Sequence, residues 1–218
     1  GSTVVGASAG AVKTVFIPKN AGNPYFARME LGFDRSKGSA GIEYSTQAPQ
    51  AADATSQISV IKNQVQRGQQ VLVISPNSPD ALNEALDQAQ AKGVVVITAD
   101  ADLVGNESHR AVGVLPVDFS TIGPSQVELL GSLIGYEGEI AILSATSDAP
   151  NQNAWIEGMK TALKDSKYAK MKLVDVVYGD DEPQKSSTEM EGLLVKHPNL
   201  RGVIAPTSVG LAAAAQVL

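Results

Sequence analysis

Thr14-Val15-Phe16-Ile17-Pro18-Lys19-Asn20-Ala21-Gly22-Asn23-Pro24-Tyr25-Phe26 is the stretch from which the fold is read. Its first four residues carry no polar alternation, so they predict a strand covered on both faces. Proline ends the run, and Asn23-Pro24 starts a helix. The strand type recurs at Leu72-Val73-Ile74, Val94 to Ile97, Ile140-Ala141-Ile142-Leu143 and Val203-Ile204-Ala205, all expected to be central. Ile42-Glu43-Tyr44 and Leu173-Val174-Asp175-Val176 alternate more and belong nearer an edge.

Helical patterns fill the intervals. Ile58, Ile61 and Val65 share one face of a helix that Gly68 ends. Ser78-Pro79-Asp80 predicts another start, with Ser78 as N-cap, a stripe of Ala81, Leu82, Ala85, Leu86 and Ala89, and a stop at Gly93. Thr188 and Glu191 are spaced as a capping box ahead of Leu194. Strand–helix alternation throughout predicts an α/β fold of open parallel sheets with helices on both faces. Leu115-Pro116-Val117-Asp118-Phe119 follows a short strand, Ala111 to Val114, and the rhythm restarts at Ile140. The expected organisation is a tag and tail over residues 1–12, a first lobe over 13–115 and a second, partial lobe over 116–218.

Composition narrows the function. The chain has 218 residues, 43% hydrophobic and 18% charged, which excludes a disordered chain. Its apolar runs are too short to span a bilayer, so no direct membrane insertion is expected. The net charge of −6 comes without a basic patch, which argues against nucleic acid as partner. The absence of cysteine removes thiolate catalysis, zinc–thiolate sites and iron–sulfur clusters. The two histidines sit in polar, loop-like surroundings, Glu107-Ser108-His109-Arg110 and Lys196-His197-Pro198, and are read as solvated. No dinucleotide fingerprint follows the first strand, and neither a phosphate-binding loop nor a zinc-protease motif occurs, so no cofactor is expected. Gly6-Ala7-Ser8-Ala9-Gly10 matches the nucleophile-elbow pattern, but a small-residue tail precedes it where a strand is required. Gly1-Ser2 looks like a cloning scar, and the uncharged stretch Thr3 to Val12 is compatible with a removed signal sequence.

Open α/β sheets bind ligands outside the carboxyl ends of their strands. The segments after the strands are therefore the informative ones. They place Lys19, Asn23, Tyr25 and Phe26 after the first strand, and Asn77 after Leu72-Val73-Ile74. Asp100 follows Val94 to Ile97, while Asn151 and Gln152, with Trp155 beyond them, follow Leu143. Pro206-Thr207-Ser208 follows the last strand. Taken singly, Asn23 and Asp100 are ordinary helix caps and Trp155 is ordinary core. Together they gather a carboxylate, amides, hydroxyls and a lysine beside aromatic faces, without His or Cys for chemistry. That combination suits a small neutral polyol.

At these residues the sequence resembles the periplasmic binding proteins of the ribose/galactose-binding type. Within that group it is most similar to rhamnose-binding receptors and to autoinducer-2 receptors of the Lsr type. The stretches that carry the resemblance are Phe16 to Asn20 with Gly22 to Phe26, Ser75 to Leu82, Asp118-Phe119-Ser120 and Ile204-Ala205-Pro206. The resemblance implies two lobes that clamp a sugar, delivery to the membrane permease of an ABC importer, and no catalytic activity. It implies a periplasmic location, or an extracellular lipid-anchored one in a Gram-positive organism. Carried over by position, Lys19 and Asp100 bind ligand oxygens from the first lobe, Gln152, Pro206 and Ser208 face them from the second, and Tyr25 and Phe26 line the cleft. Asn151 stands where the autoinducer-2 receptors carry aspartate and Ser208 where they carry alanine, which favours a rhamnose-like sugar. Chains of this family also return to the first lobe beyond the point where Leu218 stands, so the second lobe is expected to be incomplete. Two other classes share or approach this pattern. The sugar-sensing core of a LacI-type repressor has the same architecture but needs a helix-turn-helix headpiece, which Gly1 to Val12 does not supply. An α/β enzyme lacks its nucleophile and cofactor motifs here.

Overall fold

The computed structural model describes residues 10–218. The Gly1-Ser2 scar and Ser8 of the elbow-like match lie outside the described residues. The first half runs β1 (Val12–Ile17), α1 (Pro24–Ala40), β2 (Ile42–Thr46), α2 (Ala54–Gln66), β3 (Val71–Ile74), α3 (Asn83–Ala91), β4 (Val95–Ala99) and β5 (Val112–Val114). The second runs α4 (Phe119–Ile134), β6 (Gly138–Ser144), α5 (Pro150–Ala162), β7 (Met171–Tyr178), α6 (Pro183–Lys196), β8 (Leu200–Ile204) and α7 (Ser208–Val217). All strand pairs are parallel. One sheet has the order β2-β1-β3-β4-β5 and the other β7-β6-β8. In each, the chain first moves to one side of the founding strand and then to the other. That reversal lies between β1 and β3 in one sheet and between β6 and β8 in the other, and a crevice opens there.

The alternation of β1 explains the covering on both faces. Val15 and Ile17 pack with Ile61 of α2 and Leu86 of α3, while Phe16 turns the other way onto Phe26 and Phe33 of α1. In the second half, Ile140 and Ile142 meet Val127, Ile156 and Met159 beneath α4 and α5. Ala141 and Leu143 meet Met190, Leu193 and Ala214 beneath α6 and α7. No helix among the described residues is long and apolar enough to cross a membrane.

Several local readings are corrected. Val12 belongs to β1, not to the tail. Ser78 does not cap α3: its hydroxyl accepts from the amides of Asp80 and Ala81 and closes a turn, and the helix begins at Asn83. Ala81 lies in that turn and is exposed, outside the buried stripe. Thr188 is inside α6, which starts at Pro183, and its hydroxyl donates back to the Gln184 carbonyl. β8 pairs with β6 alone and is an outer strand among the described residues. His197 is half-buried, its Nε2 3.0 Å from Asp175, and His109 pairs through Nδ1 with Asp87.

At Gly123, helix α4 meets the backbone of α5 directly. A Cβ on Gly123 would fall 2.5 Å from the Trp155 carbonyl oxygen and 2.7 Å from the Met159 nitrogen. A Cβ on Gly158 would meet only ordinary contacts, the nearest 3.5 Å away on Pro124. Gly123→Ala is therefore expected to lower stability by about 1–3 kcal/mol through overpacking. Gly158→Ala is expected to leave it unchanged or raise it by up to about 1 kcal/mol through helix propensity. Urea unfolding of the two variants checks the contrast.

Candidate functional site

Because every strand is parallel, each sheet presents all its strand-to-helix loops on one edge. The loops after β1, β4, β6, β7 and β8 converge on one cavity of about 260 Å³ between the two sheets. Lys19, Asn23, Tyr25, Phe26, Asp100, Asn151, Gln152, Pro206 and Ser208 all line it.

Lys19 is held from behind. Gln57, fully buried in α2, donates from Nε2 to the carbonyls of Pro18 (3.2 Å) and Ser75 (2.7 Å), and its Oε1 accepts from the Asn77 amide (2.8 Å). Asn77 Nδ2 in turn donates to the Lys19 carbonyl at 2.9 Å. Asn77, expected at the ligand, is thus a brace for the Lys19 loop and does not line the cavity. The Lys19 side chain is aimed forward, and its Nζ donates to Asn151 Oδ1 at 2.5 Å, crossing from one lobe to the other. Lys19 is only 4% exposed. Burial pulls its ammonium below the usual lysine value, opposed by the charges of Asp100 and Asp181.

Asp100 adopts a φ of +69°, a conformation that aspartate tolerates better than most residues. The turn directs its carboxylate into the cavity, where Oδ2 accepts from Ser75 Oγ at 2.8 Å. Two residues on, Asp102 is clamped by Arg110 Nε (2.8 Å) and Nη2 (2.6 Å), which fixes the loop between β4 and β5. Burial and the Asp100 carboxylate together push the Tyr25 phenol up, so it stays a neutral hydroxyl.

Asn23 caps α1 through Oδ1, which accepts from the Tyr25 amide, and its Nδ2 donates to Asp181 Oδ2 at 3.3 Å across the lobes. Asp181 also accepts from Thr207 Oγ1, and its carbonyl accepts from Asn20 Nδ2. Burial pushes the Asp181 carboxyl up, opposed by the Thr207 hydrogen bond and the Lys19 charge. Gln152 is engaged within its own lobe: Nε2 donates to the Pro206 carbonyl at 2.7 Å and Oε1 accepts from Ser144 Oγ at 2.9 Å. It closes the second lobe's crevice as Gln57 closes the first.

Sequence reasoning missed Asp181 and Gln126, and gave no role to Trp155 or Thr207, all of which line the cavity. The signal for Asp181 was present: Gly179-Asp180-Asp181 follows β7 directly, and the rule about carboxyl ends of strands applies there too. Gln126 lies mid-helix in α4, where a single sequence carries no such signal.

Residues 14–218 match the family model described as the periplasmic binding protein domain. An ABC transporter solute-binding protein from Clostridium phytofermentas, solved with bound L-rhamnose, is 38% identical with a TM-score of 0.92, covering 95% of this chain and 64% of that one. LsrB from Clostridium saccharobutylicum in complex with AI-2 is 25% identical with a TM-score of 0.89, covering 94% and 65%. The ribose import binding protein RbsB of Bacillus subtilis is 24% identical over 183 residues, 84% of this chain. The chain spans 57% of the length of that curated relative.

Lys19 is the cation facing Asp100 and Asp181. Lys19→Met leaves two buried carboxylates uncompensated and is expected to cost about 3–5 kcal/mol of stability at pH 7. A carboxyl whose folded pKa is raised takes up its proton on the folded protein first. The penalty is therefore full above the raised Asp181 value, declines as pH falls through it, and is relieved below the ordinary 3.8. Urea unfolding at pH 7 and pH 5 should show the variant's deficit shrinking at the lower pH.

Proposed function

The chain belongs to the periplasmic binding protein domain family, and we propose that it is the solute-binding component of an ABC importer, taking a small neutral sugar between its lobes. The observation that carries this reading is the cavity itself. One ammonium, two carboxylates and neutral amides, contributed by both lobes, stand beside the faces of Tyr25, Phe26 and Trp155. Hydroxyl groups both donate and accept, so they can engage carboxylate, amide and ammonium at once, while sugar C–H faces pack on the rings. A rhamnose-like sugar is the first choice. The neutral Asn151 and Ser208 favour it, as does the higher identity to the relative solved with L-rhamnose than to the one solved with AI-2. Autoinducer-2 is the second reading, supported by the likeness to the LsrB structure and by Lys19, Asp100 and Gln152 at positions that the family resemblance places around the ligand. The role is non-catalytic, the protein partner is a membrane permease, and the site of action is extracytoplasmic. Residues 13–115 and 116–218 act as the two lobes of the clamp.

Asp100→Ala removes a charged acceptor from a desolvated wall and is expected to weaken sugar binding by about 2–4 kcal/mol. Calorimetric titration with L-rhamnose, D-ribose and autoinducer-2 is the measurement. Unchanged affinity of the variant for whichever ligand binds the parent removes Asp100 from the site, and tighter binding of autoinducer-2 than of L-rhamnose reverses the order of the two readings.

A further inference from the structure

Among the described residues, three hydrogen bonds cross from residues 13–115 to residues 116–218. One joins Lys19 to Asn151. The other two end on Asp181. Asn23 Nδ2 donates to its Oδ2 at 3.3 Å, and Asn20 Nδ2 donates to its backbone carbonyl at 3.4 Å. The second carboxylate oxygen, Oδ1, accepts from Thr207 Oγ1. Both carboxylate oxygens are thus engaged by the protein itself. Asn20 and Asn23 are 7% and 8% exposed, so these bonds form away from bulk water. Asn20 does not line the cavity.

The turn that presents Asp181 is held in place. Asp180 and Asp181 take φ of +54° and +55° in succession between β7 and α6. Such backbone is uncommon outside glycine and persists where the surroundings enforce it. Here the Gly179 and Asp180 amides donate to the Ser144 and Ala145 carbonyls at the end of β6, each at 3.0 Å, and the Glu182 amide donates to the Gly179 carbonyl at 2.9 Å. Lys185 of α6 pairs with Asp180 and takes up its charge. Of the two successive aspartates, one is thereby tied to its own lobe and the other is aimed at the opposite one.

We propose that Asp181 is a latch between the lobes, a positioning residue that holds them together by accepting the Asn20 and Asn23 amides and so raises the affinity for every ligand of the cavity by one common factor. The proposal rests on the reading of residues 13–115 and 116–218 as the two lobes of a clamp. Parting the lobes at this point takes both amides off Asp181. The apparent affinity of any ligand scales with the fraction of molecules in the binding-competent arrangement. A contact that shifts only this fraction multiplies all affinities alike, whereas a contact to the ligand alters their ratios.

The chain has no cysteine, so a pair of spin labels can be placed without background. Ser36→Cys on α1 and Glu191→Cys on α6 are exposed positions, one in each lobe. Label distances and calorimetric affinities for L-rhamnose, D-ribose and D-arabinose are measured on the labelled parent, Asn20→Ala, Asn23→Ser and the double variant. Serine at position 23 retains a cap for α1 and lacks the reach to Asp181. Before sugar is added, the variants are expected to give longer and broader distances than the parent, most of all the double variant, and saturating sugar is expected to shrink the difference. Asn20→Ala is expected to weaken each sugar that binds the parent by the same factor, on the order of 2- to 10-fold, with faster dissociation. Variants that keep the parent's distances overturn the latch and leave the sugar reading intact. An Asn20→Ala effect that differs between sugars overturns it as well, because it places Asn20 in ligand recognition. A parent that takes up none of the sugars overturns the sugar reading alone, and the label distances then decide the latch by themselves.

Discussion

The arrangement of the cleft depends on buried side-chain amides that collect backbone carbonyls where the parallel strands stop. A parallel sheet pairs its backbone along the strands and leaves the loops at their carboxyl ends to find partners of their own. Gln57 does this for the loops after β1 and β3, with Asn77 extending the network to Lys19. Gln152 does it for the loop after β8, tied through Ser144 to the end of β6. In both sheets the bonded loops flank the point where the strand order reverses. The amides keep the two crevices in shape, and the charged groups are mounted on loops that are already fixed. An amide suits this duty better than an ion would, because it supplies donor and acceptor together and adds no charge to be desolvated.

On that frame the first lobe carries the charge and the second carries mostly neutral partners. Lys19 and Asp100 come from loops of the first sheet, and Asn151, Gln152, Thr207 and Ser208 from the second, with Asp181 as the exception. Asp181 is also the group through which the lobes touch most: Asn20 and Asn23 of one lobe and Thr207 of its own all donate to it. Its carboxylate is disfavoured by burial and retained by the Thr207 hydroxyl, the Lys19 charge and the Asn23 amide. Lys19 is in turn disfavoured by burial and retained by Asp100 and Asp181. The three groups are interdependent, and the field inside the cavity belongs to the set.

Much of the fold was legible because its strands are covered on both faces, which leaves unbroken apolar runs such as Val15-Phe16-Ile17 and Ile140 to Leu143. Helix starts were less so. Ser78 has the right residue type for a cap and uses it in a turn four residues before the N-cap position at Leu82, and Thr188 sits at capping spacing inside a helix that Pro183 had already opened. Both errors come from the same cause: hydroxyl side chains bond nearby backbone in turns, caps and helix interiors alike. The site was legible wherever a functional side chain directly follows a strand. Asn77 follows the rule and still points to the scaffold, because position after a strand says that a residue is near the cleft and says nothing of which way its amide faces. Gln126 reaches the cavity only through the α4–α5 crossing, a tertiary contact that no local pattern announces.

The bond between Lys19 and Asn151 has a consequence for what any ligand must accomplish. The bond joins the two lobes and gives the ammonium a partner within the protein. Binding at the ammonium is therefore an exchange reaction, in which a guest oxygen displaces the Asn151 amide oxygen, and that oxygen keeps the Gln152 backbone N–H as its donor. The affinity that results is the difference between two hydrogen-bonded arrangements, not the sum of the contacts in one.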